Sequence, residues 1–519
     1  MHAAALPSPA AAARGRGYSF VAKLGAAVLL VTLADWLFYL QRAGSTLGVY
    51  AALILTLALV LSPAALRNRS ALAAAGAALL FAAALFDDPS LLAAGLFWAA
   101  ASMAMLLPRS RFDDGWRWTQ RLAGHLLFSA LAPLRDAGKL KQARGRHGAP
   151  SMSSRLPVLW LPFLGSLLFV ALFATANPLI GNAFTELDLL LVFGGFSFAR
   201  LLLWILAGIA VWNLLRPPAI RLQGSRKRDG NAALPGVSLA SVTLSLVAFN
   251  LIFALQNGLD LAFLWSGAAL PEGMTLAEYA HRGAYPLIAT ALLAALFVLV
   301  TLRPGSQLAQ SPLVRRLVYL WIAQNVLLVA STMLRTIDYV EVYSLTRLRI
   351  AALLWMGLVA IGLVLICWRI WRARSGAWLI NANLAAALLV LAGCTVIDLG
   401  AAAAAWNVRH AREVGGRGTT LDLCYLNQLG ASALLPLIEL ESRPLPPALR
   451  ERVGWARNLA MDRLQTHQRD WHGWTFRGQR RLAEANRLVA ERKLPRFAAG
   501  RRPCGGLAIE STLTAPLAR

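Results

Sequence analysis

The chain has 519 residues, 58% of them hydrophobic and 15% charged, where a typical soluble domain carries roughly a quarter charged residues. That balance excludes an ordinary water-soluble enzyme and fits a chain solvated by lipid. Its 51 Lys and Arg outnumber its 25 Asp and Glu, for a formal net charge of +26. The cations lie between apolar runs rather than on a nucleic-acid-reading motif, so no nucleic-acid partner is expected.

The predicted fold is all-α: a polytopic transmembrane bundle of about eleven spans with a small helical C-terminal domain outside the bilayer. Residues 1–19 form a cytoplasmic tail, and the first apolar run, Phe20 to Leu40, is too long for a cleaved signal and is expected to stay as a span. Further spans are predicted at Thr46 to Leu66, Ala71 to Phe86 and Leu91 to Leu107, completing a four-span block over 20–107.

Residues 108–155 form a basic cytoplasmic loop. Within it, Arg111 to Leu134 sets Phe112, Trp116, Leu122, Leu126 and Phe128 against Arg117, Arg121 and His125, the pattern of an interfacial amphipathic helix. The cations of this loop, continuing through Lys139 to Arg155, are expected to meet anionic lipid headgroups.

Seven more spans fill 156–400: Leu156 to Ala176, Gly195 to Leu215, Gly236 to Gln256, Gly283 to Leu302, Leu317 to Leu334, Ile350 to Trp368 and Trp378 to Leu399. Alternate connections hold about 25 Lys and Arg against about five in the others. The amino terminus is therefore predicted to be cytoplasmic, and an odd number of spans sends the tail out. The expected location is the bacterial cytoplasmic (inner) membrane.

Residues 401–519 read as a helical, extracytoplasmic domain with a Pro-rich break at Pro444 to Pro447. An envelope protein is its expected partner. Cys367 and Cys394 fall in apolar runs, whereas Cys424 and Cys504 lie in the polar tail, where an oxidising compartment would let them pair.

Ionisable groups within spans cost several kcal/mol unless paired or wetted, so they mark sites. On the predicted topology Asp35, Asn177, Arg200, Asp260, Glu278, Tyr279, His281, Arg282, Arg335, Asp338, Tyr343, Arg347 and Asp398 all belong to the outer half or the outer face. The amides Asn250, Gln256, Gln324, Asn325, Asn381 and Asn383 lie inside or beside spans and suit interhelical bonding. The chain has no phosphate-cradling loop, no HExxH, no zinc-spaced Cys or His pair and no GxSxG; neither a metal nor a cofactor is expected.

Several stretches carry a resemblance: LADWLFY at Leu33 to Tyr39, RSRFDDGWRW at Arg109 to Trp118, ATANPLI at Ala174 to Ile180, LPEGMTLAEYAHRGAYPLIATALLAALFVL at Leu270 to Leu299, YSLTRLRIAALLWM at Tyr343 to Met356, and LDLCYLNQLGASAL at Leu421 to Leu434. In these the chain resembles a bacterial family of polytopic membrane proteins known only as domains of unknown function. The resemblance implies a shared membrane architecture and no activity.

Two functions remain open from the sequence. One is a non-enzymatic transport, scaffold or sensing role built on an outer-face polar cavity. The other is an enzyme acting on a lipid-linked substrate at the outer leaflet, similar in outline to membrane glycosyltransferases, with Asp35, Asp87, Asp88 and Asp260 as its carboxylates.

Overall fold

The computed structural model describes residues 20–129, 197–217, 238–262, 311–416 and 418–497, with the single positions 133, 136, 166, 293 and 297. Every regular element among them is helical. The chain divides into two units, residues 1–113 with 117–222, and residues 114–116 with 223–519.

The first unit holds α1 (Phe20–Phe38), α2 (Thr46–Val60), α3 (Pro63–Leu66), α4 (Arg69–Asp87), α5 (Leu91–Leu106), most of α6 (Gly115–Ser129), and α7 (Phe198–Leu215). The second expected span is cut short at Val60, because Ser62 precedes a proline and leaves the helical region at φ −132°, ψ 73°. The Ala-rich third span is a full helix of 19 residues. Asn68 caps it, accepting from the Ala71 amide at 3.1 Å, which moves its start two residues ahead of the apolar run. Its buried face is Ala71, Ala75, Ala78, Ala82 and Leu85, and the small side chains let α2 approach closely. A β-carbon on Gly48 of α2 would stand 2.4 Å from the Phe86 nitrogen.

The amphipathic helix starts at Gly115, four residues later than its pattern suggested, and is described to Ser129, with positions 133 and 136 helical as well. Asp113, just ahead of it, accepts from Arg121 Nη1 and Nη2, each at 2.8 Å. Trp118 and His125, two turns apart, are buried, while Trp116, Leu126, Leu127 and Phe128 are exposed. This exposed aromatic and aliphatic face suits a helix lying in a headgroup layer.

The second unit holds α8 (Leu239–Asp260), α9 (Pro312–Tyr343), α10 (Arg347–Trp371) and α11 (Gly376–Val396). A compact tail follows, made of α12 (Leu399–His410), α13 (Leu423–Leu429), α14 (Leu434–Glu441), α15 (Pro447–Arg469) and α16 (Phe476–Glu491). α9 overruns its expected end at Leu334 by nine residues and reaches 32 residues, about 48 Å at 1.5 Å per residue and longer than a hydrocarbon core of about 30 Å. Asp398 does not end a span as expected: α11 stops at Val396, and Asp398 caps α12 by accepting from the Ala401 amide at 3.0 Å.

Eight stretches among the described residues are long and apolar enough to cross a membrane, and the chain is an integral, multi-pass membrane protein. One of the eight, Leu423 to Glu441, is more than half buried within the protein. It is broken at Gly430, whose φ of +56° suits glycine, and carries Pro436 in its second half. Leu426, Leu434, Leu437, Ile438 and Leu440 are buried against α12 and α15 side chains such as Val408, Val453 and Ala460. This stretch is the tail's hydrophobic core.

Contacts fix the relative directions of several helices. Lys23 meets Leu215 while Asp35 meets Arg200, so α1 and α7 are antiparallel. Asn257 meets Gln324 while Asp260 meets Arg335, so α8 and α9 are parallel, the relation expected of helices with one predicted span between them. The span expected there, Gly283 to Leu302, and the one at Leu156 to Ala176 lie outside the described residues except for positions 166, 293 and 297.

Candidate functional site

A polar surface is buried between helices at the seam of α8 and α9. On α8, Asn250, Asn257 and Asp260 are spaced seven and then three apart, which sets them on one face. On α9, Gln324 and Arg335 are eleven apart, three turns, and share a face likewise. Gln324 donates to Asn250 Oδ1 at 2.8 Å, and Asn250 donates to the Leu317 carbonyl at 3.1 Å. One layer further along, Asn257 donates to the Gln324 carbonyl at 3.1 Å.

The ladder ends in an ion pair between Arg335 and Asp260, whose side chains are only 7% and 2% exposed. Asp260 Oδ1 receives both the Arg335 guanidinium and the Gln256 amide, the latter at 3.0 Å. Its second oxygen, Oδ2, has no partner, and neither do the buried oxygens Asn257 Oδ1, Gln324 Oε1 and Asn325 Oδ1. At the opposite end of the ladder the seam is closed by aromatic rings: Trp321 lies 5.3 Å from Phe249, 5.9 Å from Phe253 and 5.7 Å from Phe297.

The other expected outer-face residues form separate groups. Asp35 and Arg200 pair in the first unit at 2.5 Å, with the Trp204 indole donating to Asp35 at 2.9 Å and the guanidinium lying over the Tyr39 ring. In the second unit Asp398 accepts from Ser432 at 2.8 Å and from Arg481 at 2.6 Å, and Arg347 reaches the same serine at 3.4 Å. Burial raises the Asp398 carboxyl's pKa, but the Ala401 amide, Ser432 and Arg481 together outweigh it and hold it below the usual carboxylate value. Tyr343 lies against Tyr339, the ring centroids 4.8 Å apart and the planes tilted by 45°, and its carbonyl accepts from Arg349. Asp338 lies on the last turns of α9, one turn from Glu341. Asn177, Glu278, Tyr279, His281 and Arg282 lie outside the described residues.

Three features escaped the sequence reading. Asn257 belongs to the ladder, and its signal was the seven-residue spacing from Asn250. Arg457 and Glu441 make an ion pair in the tail core, each 1% exposed, at 2.6 Å. The third is the burial of His125, which the sequence pattern grouped with the cations of the amphipathic helix: it is fully buried against Trp98, at 5.4 Å between ring centroids. Burial and the nearby Arg109 charge push its pKa down to about 4.

Cys424 is disulfide-bonded, and Cys504 lies outside the described residues. Among the described residues no three His, Cys, Asp or Glu side chains are grouped to hold a metal. A family model described as "Domain of unknown function (DUF4153)" matches residues 24–440. No curated protein and no solved structure matches the chain.

Proposed function

The chain belongs to that family of unknown function, and from this premise we propose that it is a transport protein passing a proton or small monovalent cation along the α8–α9 seam. One observation carries the reading: four buried side-chain oxygens along the seam, on Gln324, Asn325, Asn257 and Asp260, have no hydrogen-bond partner. Amides that only glue helices together close on one another, because an unpaired acceptor in hydrocarbon costs free energy. These acceptors outnumber the one indole donor of the seam that is also without a partner, Trp321 Nε1. Water, hydronium or a bare cation supplies what is missing, and Arg335 competes with it for Asp260. The experiment is ion flux in proteoliposomes under an imposed potential. The wild type should exceed protein-free vesicles and Asp260→Asn should not; equal flux from wild type, variant and empty vesicles overturns the reading.

We further propose that the tail and the Asp260–Arg335 end of the seam face outward, with the amino terminus in the bacterial cytoplasm. Asn407 of α12 brackets the α9–α10 connection, accepting from the Leu345 amide at 2.7 Å and donating to its carbonyl at 2.9 Å. Arg477 of α16 reaches the Val396 carbonyl at the end of α11. The tail is thereby tied to the helix ends opposite the cationic Arg369 to Arg374 connection, which the charge rule assigns to the cytoplasm. A Cys424–Cys504 bridge and an envelope protein partner for the tail both accord with that side. A reporter fused after Arg519 should be active only when exported; activity confined to the cytosol overturns the orientation. The enzyme reading has less support, since Asp35 and Asp260 are each held by an arginine.

A further inference from the structure

The two antiparallel helices α1 and α7 pack together and leave a groove along their contact. This groove, of about 460 Å³, is walled by Ala27, Val28 and Val31 of α1 and by Ile205, Gly208 and Ile209 of α7. Thr32 is its one polar wall residue away from the two ends. One end is stopped by Asp35, held by Arg200 and Trp204. The other is edged by Trp212 and Pro133.

That second end is strongly cationic. Arg216 follows the last turn of α7 and lies over the rings of Trp212 and Phe20, at 5.8 and 5.0 Å. On either side of it in sequence, the Leu215 carbonyl accepts from Lys23 at 2.9 Å and the Pro217 carbonyl accepts from Arg109. Three cations thus converge on one turn, close enough to repel one another. Against them the described residues set one carboxylate, Asp136, 3.5 Å from Arg216 and also engaged by the Trp212 indole at 3.3 Å. Capping the α7 carboxyl end accounts for one donor each from Lys23 and Arg109. A lysine offers three donors and an arginine five, so most of them remain for an anion.

We propose that this groove is a lipid site, holding one acyl chain of an anionic phospholipid whose phosphate rests on Lys23, Arg109 and Arg216. The apolar walls match a hydrocarbon chain, and the excess of cations at one mouth matches a phosphate that brings no cation of its own. A zwitterionic headgroup would place a fourth positive group beside three. The Trp212 indole, edging the groove with its N–H toward Asp136, sits where an interfacial tryptophan is favoured.

Delipidated full-length protein in detergent, titrated with phosphatidylglycerol, phosphatidylcholine of the same chains, or inorganic phosphate, tests this by native mass spectrometry and thermal shift. Phosphatidylglycerol should bind at least tenfold more tightly than phosphatidylcholine. The preference should vanish in Lys23→Gln/Arg109→Gln. It should weaken in Gly208→Leu, which fills the groove where a β-carbon has only Val31 within 4 Å and leaves the cations in place. Equal binding of the two lipids, or an unchanged preference in Gly208→Leu, overturns the site. Stabilisation by inorganic phosphate equal to that by phosphatidylglycerol assigns the cations to a free anion and overturns the lipid.

Discussion

Arg335 and Asp260 lie 75 positions apart in sequence and form a buried ion pair across two parallel helices. Removing one partner strands the other's charge away from water, which typically costs about 3–5 kcal/mol, whereas replacing both by apolar residues is often neutral. Arg335→Leu is therefore expected to lower the melting temperature in detergent strongly, and Arg335→Leu/Asp260→Leu to recover most of the loss. A double variant no more stable than the single would show that the pair does not act as a unit.

His125 gives a pH signature of the first unit. Its folded pKa of about 4 lies below the ordinary histidine value of about 6.5. Above that ordinary value both states are neutral and stability is indifferent to the group. As pH falls from about 6.5 toward 4, the unfolded chain takes up a proton that the folded chain refuses, and stability drops, by on the order of 3 kcal/mol at full extent. His125→Phe should flatten melting temperature over that range; an unchanged acid slope would assign it elsewhere.

Gly48 is where α2 comes against the backbone of α4. Gly48→Leu should force the helices apart at a cost of about 3 kcal/mol or more. Gly25→Leu on α1, where a β-carbon meets nothing within 4 Å, should be close to neutral. Melting temperatures of the two variants, compared in one detergent, check the contrast.

Asp398 ties α12 to Ser432 and Arg481. Its carboxyl titrates below the ordinary value of about 3.9, so its contribution is present above that value and disappears as pH falls through the depressed one. Resistance of the tail to limited proteolysis should fall in that acid range in the wild type. In Asp398→Ala it should already be reduced at neutral pH, with loss of the cap alone worth about 1 kcal/mol.

Apolar runs announced the membrane helices because hydrocarbon selects on hydropathy over some 20 residues. Their ends were less legible. The polar positions Arg335, Asp338 and Glu341 pointed to a stop at Leu334, yet α9 continues to Tyr343, and the partner that buries Arg335 sits on α8. Asp398 read as the outer end of a span, while its side chain caps a separate helix. Asn250 and Gln324 were conspicuous as polar groups inside spans, and Asp260 and Arg335 as outer-face charges just beyond span ends, but the bonds joining them are tertiary and no spacing within one helix encodes them.

α9 is an unbroken rod whose length exceeds the hydrocarbon thickness, and Asn407 grips the turn just beyond it. Stiff rods turn small rotations into displacement: a tilt of about 5° about the Pro312 end carries Tyr343 sideways by roughly 4 Å. Loading the tail from one side of the bilayer and rearranging charges at Asp260 are therefore joined by a lever, and pulling on either end is felt at the other.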